Sequence, residues 1–159
     1  MDLTSTISAR LTNLVARRRP SMARKATERH VEKYRSSGGR KGSTILGRPV
    51  FLLDVLGRSS GALRPVMLMY VPRGKDLIVV ASAGGSDTTP NWYRNLIAAG
   101  GAEVQVGTER WAVTARQLEA GPERDECWRL AASAYPGFDA YQTFTDRQIA
   151  IAVLEHTQS

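Results

Sequence analysis

The sequence predicts a mainly β (α+β) fold: an antiparallel β-barrel with peripheral helices, preceded by a basic helical arm. Three observations predict it. Short apolar runs recur between Gly-, Pro- and Asp-containing turns from Pro49 onward. Hairpin-type connections dominate, and the two helical stretches do not alternate regularly with the strands, which argues against a doubly wound parallel sheet. The Lys and Arg residues crowd into the first third, where the apolar spacing is helical rather than alternating.

In chain order, Leu3, Ile7, Leu11, Leu14 and Val15 fall on one face of an amphipathic helix over residues 3–17. Pro20 interrupts, and a second helix is expected from about Ser21 to Tyr34. Arg35 to Ser43 reads as a flexible linker. The boundary is placed there, with an arm at 1–43 and a barrel domain at 44–157. Pro49–Val55 and Pro65–Val71 are apolar runs fit for strands, and Leu77–Ser82 follows the turn Arg73-Gly74-Lys75-Asp76. Pro90–Ala99 reads as a short helix closed by Gly100-Gly101, with Thr89 able to cap it and Pro90 suited to its first turn. Glu103–Val106 and Arg110–Leu118 make a hairpin, Pro122–Ala134 a helix ended by Pro136, and Ile149–Leu154 a last strand.

The chain has 159 residues, 42% hydrophobic and 23% charged, enough for one domain with a real core. No apolar run reaches the length of a membrane span and no secretory leader is expected, so a cytoplasmic location is predicted. Cys127 is the only cysteine, which excludes an internal disulfide; a packed, inert thiol on a helix face is expected. His30 and His156 lie far apart, and no metal site is expected. The formal net charge of +7 is uneven: residues 1–49 hold 12 Lys/Arg against 3 Asp/Glu, and the remainder hold 10 against 12. Three roles for the arm remain open: contact with an anionic membrane at its inner face, packing on its own barrel or a partner subunit, and nucleic-acid binding, which no motif supports.

Two loops concentrate the chemistry. Gly57-Arg58-Ser59-Ser60-Gly61-Ala62-Leu63-Arg64-Pro65 follows an apolar run and sets two arginines six apart. Ser82-Ala83-Gly84-Gly85-Ser86 leads through Pro90 into Asn91-Trp92-Tyr93-Arg94-Asn95 at a helix start. Backbone N–H groups, hydroxyls and guanidinium groups suit a phosphate, as does a helix N-terminus. The first loop precedes a strand, so it is not a dinucleotide fingerprint. A phosphorylated cofactor held across two strand ends is the reading.

These stretches resemble the deazaflavin-dependent nitroreductase family, the split β-barrel reductases that use coenzyme F420. The resemblance rests on Leu46-Gly47-Arg48-Pro49-Val50, Gly57–Gly61 with Arg64, Val80–Gly85, Pro90–Leu96, Val104-Gln105-Val106, Ala134–Phe138 with Tyr141, and Thr145-Asp146-Arg147, across roughly residues 34–155. It implies a split antiparallel β-barrel of the FMN-binding type. It also implies an oxidoreductase that transfers a hydride from reduced deazaflavin to an activated alkene, quinone or nitroaromatic. By position, Arg58, Ser59, Ser60 and Arg64 would hold the phosphate and tail. Pro65, Val66, Met67, Leu68 and Met69 would line the groove, and Val80, Ala81, Ser82 and Ala83 would meet the ring through backbone groups. Asn91, Trp92, Tyr93, Arg94 and Asn95 would close the far side.

Met69, Tyr135, Phe138 and Tyr141 would border the substrate pocket, with Met67 and Phe144 as further apolar lining. Tyr135, Tyr141 or Ser82 would supply the proton. Asp146-Arg147 is read as a structural ion pair. The family often has lysine where this chain has Ser59 and Ala83. That departure opens an alternative: a barrel with weakened or lost deazaflavin use, serving as a lipid- or small-molecule-binding or repurposed module. FMN is the flavin that related barrels use instead, and homodimers are common among them.

Overall fold

The computed structural model describes residues 20–157. The amphipathic stretch expected over 3–17 lies outside them. Helix α1 (Pro20–Ser36) leads through β1 (Thr44–Ile45) into β2 (Arg48–Leu56), β3 (Leu63–Met69), β4 (Val71–Arg73) and β5 (Asp76–Val80). A single 3-10 turn at Ala83–Gly85 precedes α2 (Asn91–Ala99). Then come β6 (Gly101–Val106), β7 (Glu109–Gln117), α3 (Pro122–Ala134), α4 (Gly137–Gln142) and β8 (Ile151–His156).

The strands follow the order β1-β2-β6-β7-β8-β5-β4, and β3 pairs with β2 off that path. Every pairing among the described residues is antiparallel. The sheet curls into the antiparallel barrel that the turn spacing predicts, split as the family resemblance implies.

The predicted strand over 65–71 is two strands. Up to Met69 it pairs with β2, from Val50↔Met69 to Leu56↔Leu63; from Val71 it pairs with β5. Tyr70 marks the change of partner, and its ring meets Phe51 edge-on at 5.4 Å between centroids. Pro72 is tolerated because β4 is an edge strand. The last strand starts at Ile151 rather than Ile149. Side chains hold Ile149 out of the ladder: its carbonyl accepts from Arg124 Nη2 at 2.6 Å and its amide donates to Gln142 Oε1 at 3.0 Å.

Alternation of side chains along the strands sorts the apolar residues into two cores. Phe51, Leu53 and Val55 of β2 join Leu77, Val79, Ala152 and Leu154 inside the barrel. Val50 and Leu52, on the other face of β2, pack with Val31 and Tyr34 of α1 and with Met67. Ile78, Ile151 and Val153 turn instead to α3 and α4, meeting Cys127, Ala131, Phe138 and Tyr141. Cys127 is fully buried, and burial pushes its thiol up, as an inert core cysteine requires.

Helix α1 is tied to the barrel across the point where the composition places a boundary. The Tyr34 hydroxyl donates to the Gln105 carbonyl at 3.2 Å and accepts from the Gly107 amide at 2.9 Å. Arg35 pairs with the buried Asp54 of β2. Gly39 lies so close to Gly107 that an added Cβ would sit 2.9 Å from its carbonyl oxygen. No described helix is long and apolar enough to cross a membrane.

Candidate active site

The β2–β3 turn is built around one hydroxyl. Gly57 N donates to Ala62 O and Gly61 N to Gly57 O, both at 2.8 Å. Ser60 Oγ sits inside the turn, accepting from the Ala62 amide at 3.2 Å and from Arg64 Nη2 at 3.4 Å. A Cβ at Gly57 would meet that oxygen at 2.7 Å, so any side chain there has to push the Ser60 hydroxyl aside. Ser59 is exposed at the tip.

Helix α2 holds the other arginine. Asn95, 8% exposed, accepts at Oδ1 from both the Arg58 amide (3.2 Å) and Arg58 Nη1 (2.7 Å). Arg58 Nη2 donates to Asn91 Oδ1 one helical turn earlier, at 3.2 Å. The two asparagines aim Arg58 rather than facing outward as independent contacts. Gly57, Arg58, Ser59, Ser60, Arg64, Pro65, Val66, Asn91, Trp92 and Asn95 enclose a polar hollow of about 490 Å³.

The second compartment begins where the first ends. Met67, Leu68 and Met69 of β3, Val80 at the end of β5, and Ser82, Ala83 and Gly84 surround an apolar cavity of about 330 Å³, and Trp92 borders both spaces. Tyr135, Phe138 and Tyr141 form the opposite wall. The Tyr135 and Tyr141 hydroxyls are 2.9 Å apart, and Tyr135 meets Phe138 edge-on at 5.1 Å. Burial, then the Tyr135 hydrogen bond, pushes the Tyr141 phenol well above its usual range, so it stays protonated. Gly137 makes this wall possible: a Cβ there would lie 2.7 Å from the Tyr135 hydroxyl and 2.6 Å from its ring.

Ile45 and Leu46 from the β1–β2 hairpin also line the apolar space, and the Arg48 guanidinium lies 5.8 Å from the Tyr135 ring centroid. Sequence reasoning missed Ile45 and Leu46. The Gly47 turn was their one local signal.

Several expected site residues stand elsewhere. Tyr93 is a core residue, 3% exposed, whose one hydroxyl proton is shared between Gln117 Oε1 at 3.2 Å and the Ile151 carbonyl at 3.3 Å. Burial pushes its phenol up to about 12. Its position on α2 puts it on the face opposite Asn91 and Asn95. Ala81, expected to meet the ring through its backbone, is fully buried in the barrel core with its amide donating to the Ala150 carbonyl at 2.9 Å and its carbonyl accepting from Arg147, and Arg94 is exposed and lines neither compartment. Phe144 packs against the α3–α4 core beside Gly85 rather than lining the cavity.

Thr89 does not cap α2: Pro90 takes the N-cap position with no side-chain cap bond. Arg147 does not make the expected pair with Asp146; it donates to the carbonyls of Ala81, Ser82 and Ser86. Among the described residues no group of His, Cys, Asp and Glu is placed to hold a metal.

The donor set fits a phosphorylated, ring-bearing cofactor. Two guanidinium groups and the Ser59 and Ser60 side chains stand at one end, an aromatic-walled apolar space at the other, and β3 runs beneath both.

Comparison with known proteins agrees with that geometry. A family model described as F420H(2)-dependent quinone reductase matches residues 26–156. A Mycobacterium tuberculosis (strain ATCC 25618 / H37Rv) protein named F420H(2)-dependent quinone reductase is 34% identical over 131 residues, covering 79% of this chain and 86% of that protein. The structure of an F420-H2 dependent reductase matches with a TM-score of 0.63 and 42% identity, over 70% of this chain and 98% of the other. A structure described as a domain-swapped dimer matches with a TM-score of 0.65 and 39% identity, over 80% and 96%.

The match starts within α1, earlier than residue 34, and names quinone reductases rather than the broader nitroreductases. The chain is an oxidoreductase whose cofactor is coenzyme F420, and it belongs to the F420H(2)-dependent quinone reductase family.

Proposed function

We propose that this chain reduces a quinone to the quinol in the apolar compartment, with the deazaflavin tail anchored in the polar one. The observation that carries the reading is the continuous floor of β3 under two compartments of opposite character, with Trp92 shared between their walls. When bound, the reduced deazaflavin supplies two electrons as a hydride. Arg58, aimed by Asn91 and Asn95, and Arg64, steadied by Ser60, hold the phosphate. Met67, Met69 and Phe138 exclude water from the quinone ring.

The hydride leaves one oxygen of the quinone to be protonated. The Tyr135–Tyr141 pair stands at that wall with two hydroxyls, and Tyr141 keeps its proton at neutral pH. Ser82 lines the same cavity, but the tyrosine pair brings two linked hydroxyls to it and is the proposed proton source. The loss of lysine at positions 59 and 83 leaves both arginines in place, so the binding-only alternative has no structural support beyond those two residues.

Activated alkenes and nitroaromatics are further acceptors for the same compartment, since hydride transfer requires alignment rather than a nucleophile. A cytoplasmic enzyme whose residues 1–19 contact the membrane face belongs to the same proposal, as does a homodimer of the kind described for the domain-swapped relative.

Fluorescence titration with coenzyme F420 tests the core of it. Binding in the micromolar range that weakens in Arg64→Ala, with riboflavin phosphate competing poorly, is expected. Absence of binding overturns it. Liposome sedimentation should compare the whole chain with one starting at Pro20. A start near Gly38 would strip Val31 and Tyr34 from the core. Equal sedimentation removes the membrane contact.

A further inference from the structure

Arg147 lies outside both compartments, yet its hydrogen bonds end on the segment that walls one of them. Nε donates to the Ser86 carbonyl at 2.7 Å, and Nη2 donates to the Ala81 and Ser82 carbonyls at 3.0 and 3.1 Å. Nη1 is buried and makes no hydrogen bond among the described residues. Burial lowers the affinity of the guanidinium for its proton, with Asp87 opposing that shift. An arginine placed this way carries a desolvation cost that a loop needing only to be ordered would not require.

The gripped segment is unusual. Ala83 has φ +45°, followed by Gly84 at +63° and Gly85 at +81°, so three successive residues lie in the left-handed region and one of them carries a side chain. Gly85 is pressed against the wall opposite: an added Cβ would sit 2.7 Å from the Tyr141 carbonyl. The other end of the clamp is held by the tyrosine helix itself. Gln142, next to Tyr141, donates to the Arg147 carbonyl at 2.8 Å and accepts from the Ile149 amide. Arg147 thereby bridges α4, which carries a proton-source tyrosine, and the loop that faces it.

We propose that Arg147 is a positioning residue that sets the Ser82–Ala83 backbone against the ring end of the trough, at fixed distance from the Tyr135–Tyr141 pair. This deepens the functional reading above and rests on it. Each peptide plane is trans, so a carbonyl fixed by Arg147 fixes the next amide N–H on the opposite side. The Ala81 and Ser82 carbonyls therefore set the directions of the Ser82 and Ala83 amides. A cation at the carbonyl end polarises the peptide and makes the Ser82 amide a stronger donor to an electron-rich ring oxygen or nitrogen. Position and donor strength act at the ring end; the phosphate end, built from Arg58, Arg64 and α2, is untouched.

The test compares Arg147→Ala and Arg147→Lys with Arg124→Met. Arg124 is likewise buried and donates to a main-chain carbonyl, that of Ile149, but it lines neither compartment and does not touch residues 81–86. Amide hydrogen exchange is measured first on the ligand-free protein. Exchange at residues 83–86 should rise at least about tenfold in Arg147→Ala and stay unchanged in Arg124→Met. Single-turnover reduction of a water-soluble naphthoquinone should fall about tenfold to a hundredfold while coenzyme Kd changes by less than about threefold.

Arg147→Lys keeps the charge but not the fork, and should fail to restore the rate, whereas added guanidinium should restore part of it in Arg147→Ala. Should Arg147→Ala not fold, Arg147→Lys carries the same exchange and rate comparison. Unchanged exchange at 83–86, or rate and affinity falling together with melting temperature as in Arg124→Met, overturns the proposal. If the wild-type chain binds no coenzyme, the functional reading falls, while the exchange result still decides whether the clamp exists.

Discussion

The two ends of the trough are built in opposite ways. The polar end comes largely from one turn and the first turn of one helix. Its arginines are exposed, and each is steadied by neutral partners: Arg58 by Asn91 and Asn95, Arg64 by Ser60. The aromatic end draws on β3, β5, the 3-10 turn, α4 and the β1–β2 hairpin, and its tyrosines are buried to 6% and 4% exposure. A binding end tolerates flexible cations, because a phosphate accepts several geometries. A hydride-transfer end does not, since misplacement of about 1 Å can cost a hundredfold in rate.

That contrast predicts where substitutions act. The largest effect is expected from Gly137→Ala, which forces Tyr135 out of place through a contact inside 3 Å. Quinone reduction should fall about a hundredfold with coenzyme affinity nearly intact. A matching loss of affinity, read by fluorescence, would erase the division between the two ends.

Next, Arg58→Ala should raise the coenzyme Kd by about tenfold to a hundredfold and leave the rate at saturation unchanged. Asn95→Ala should move Kd in the same direction by less, because it releases Arg58 rather than removing it. Tyr141→Phe should lower the maximal rate by about tenfold without changing Kd, as expected for one of two linked proton donors; an unchanged rate assigns the proton to another group.

The smallest effect sharpens the boundary of the site. Tyr93 titrates at about 12 when folded against 10.0 as an ordinary phenol. Between those values the unfolded chain releases a proton that the folded chain keeps. Stability contributed below pH 10 is therefore lost as pH rises toward about 12. Tyr93→Phe should flatten that alkaline decline in denaturant melts and leave quinone reduction at neutral pH within about twofold, which a cofactor contact would not allow.

Much of the fold is legible in local sequence. Turn residues and apolar runs place β2, β5, the β6–β7 hairpin and α3 within about two residues of where they form. Those signals depend on neighbours a few positions away. The short helix α4 is not visible in this way: six residues with no side-chain cap at their N-terminus form a helix because Phe138 and Tyr141 are packed on α3 and β8. The polar hollow was legible for the same local reason, since its glycine, serines and arginines sit in one turn.

Sequence alone determined the strand pattern, the Gly-Arg-Ser turn after β2 and the residue types of the aromatic wall, because each follows from backbone freedom and side-chain chemistry over a few residues. Tertiary structure alone decided that Tyr93 turns into the core while Asn91 and Asn95 hold Arg58. It also decided that Arg147 grips three distant carbonyls rather than Asp146. Those outcomes depend on which face of α2 meets the barrel and how closely α4 approaches the 3-10 turn, and close packing between elements remote in sequence settles both.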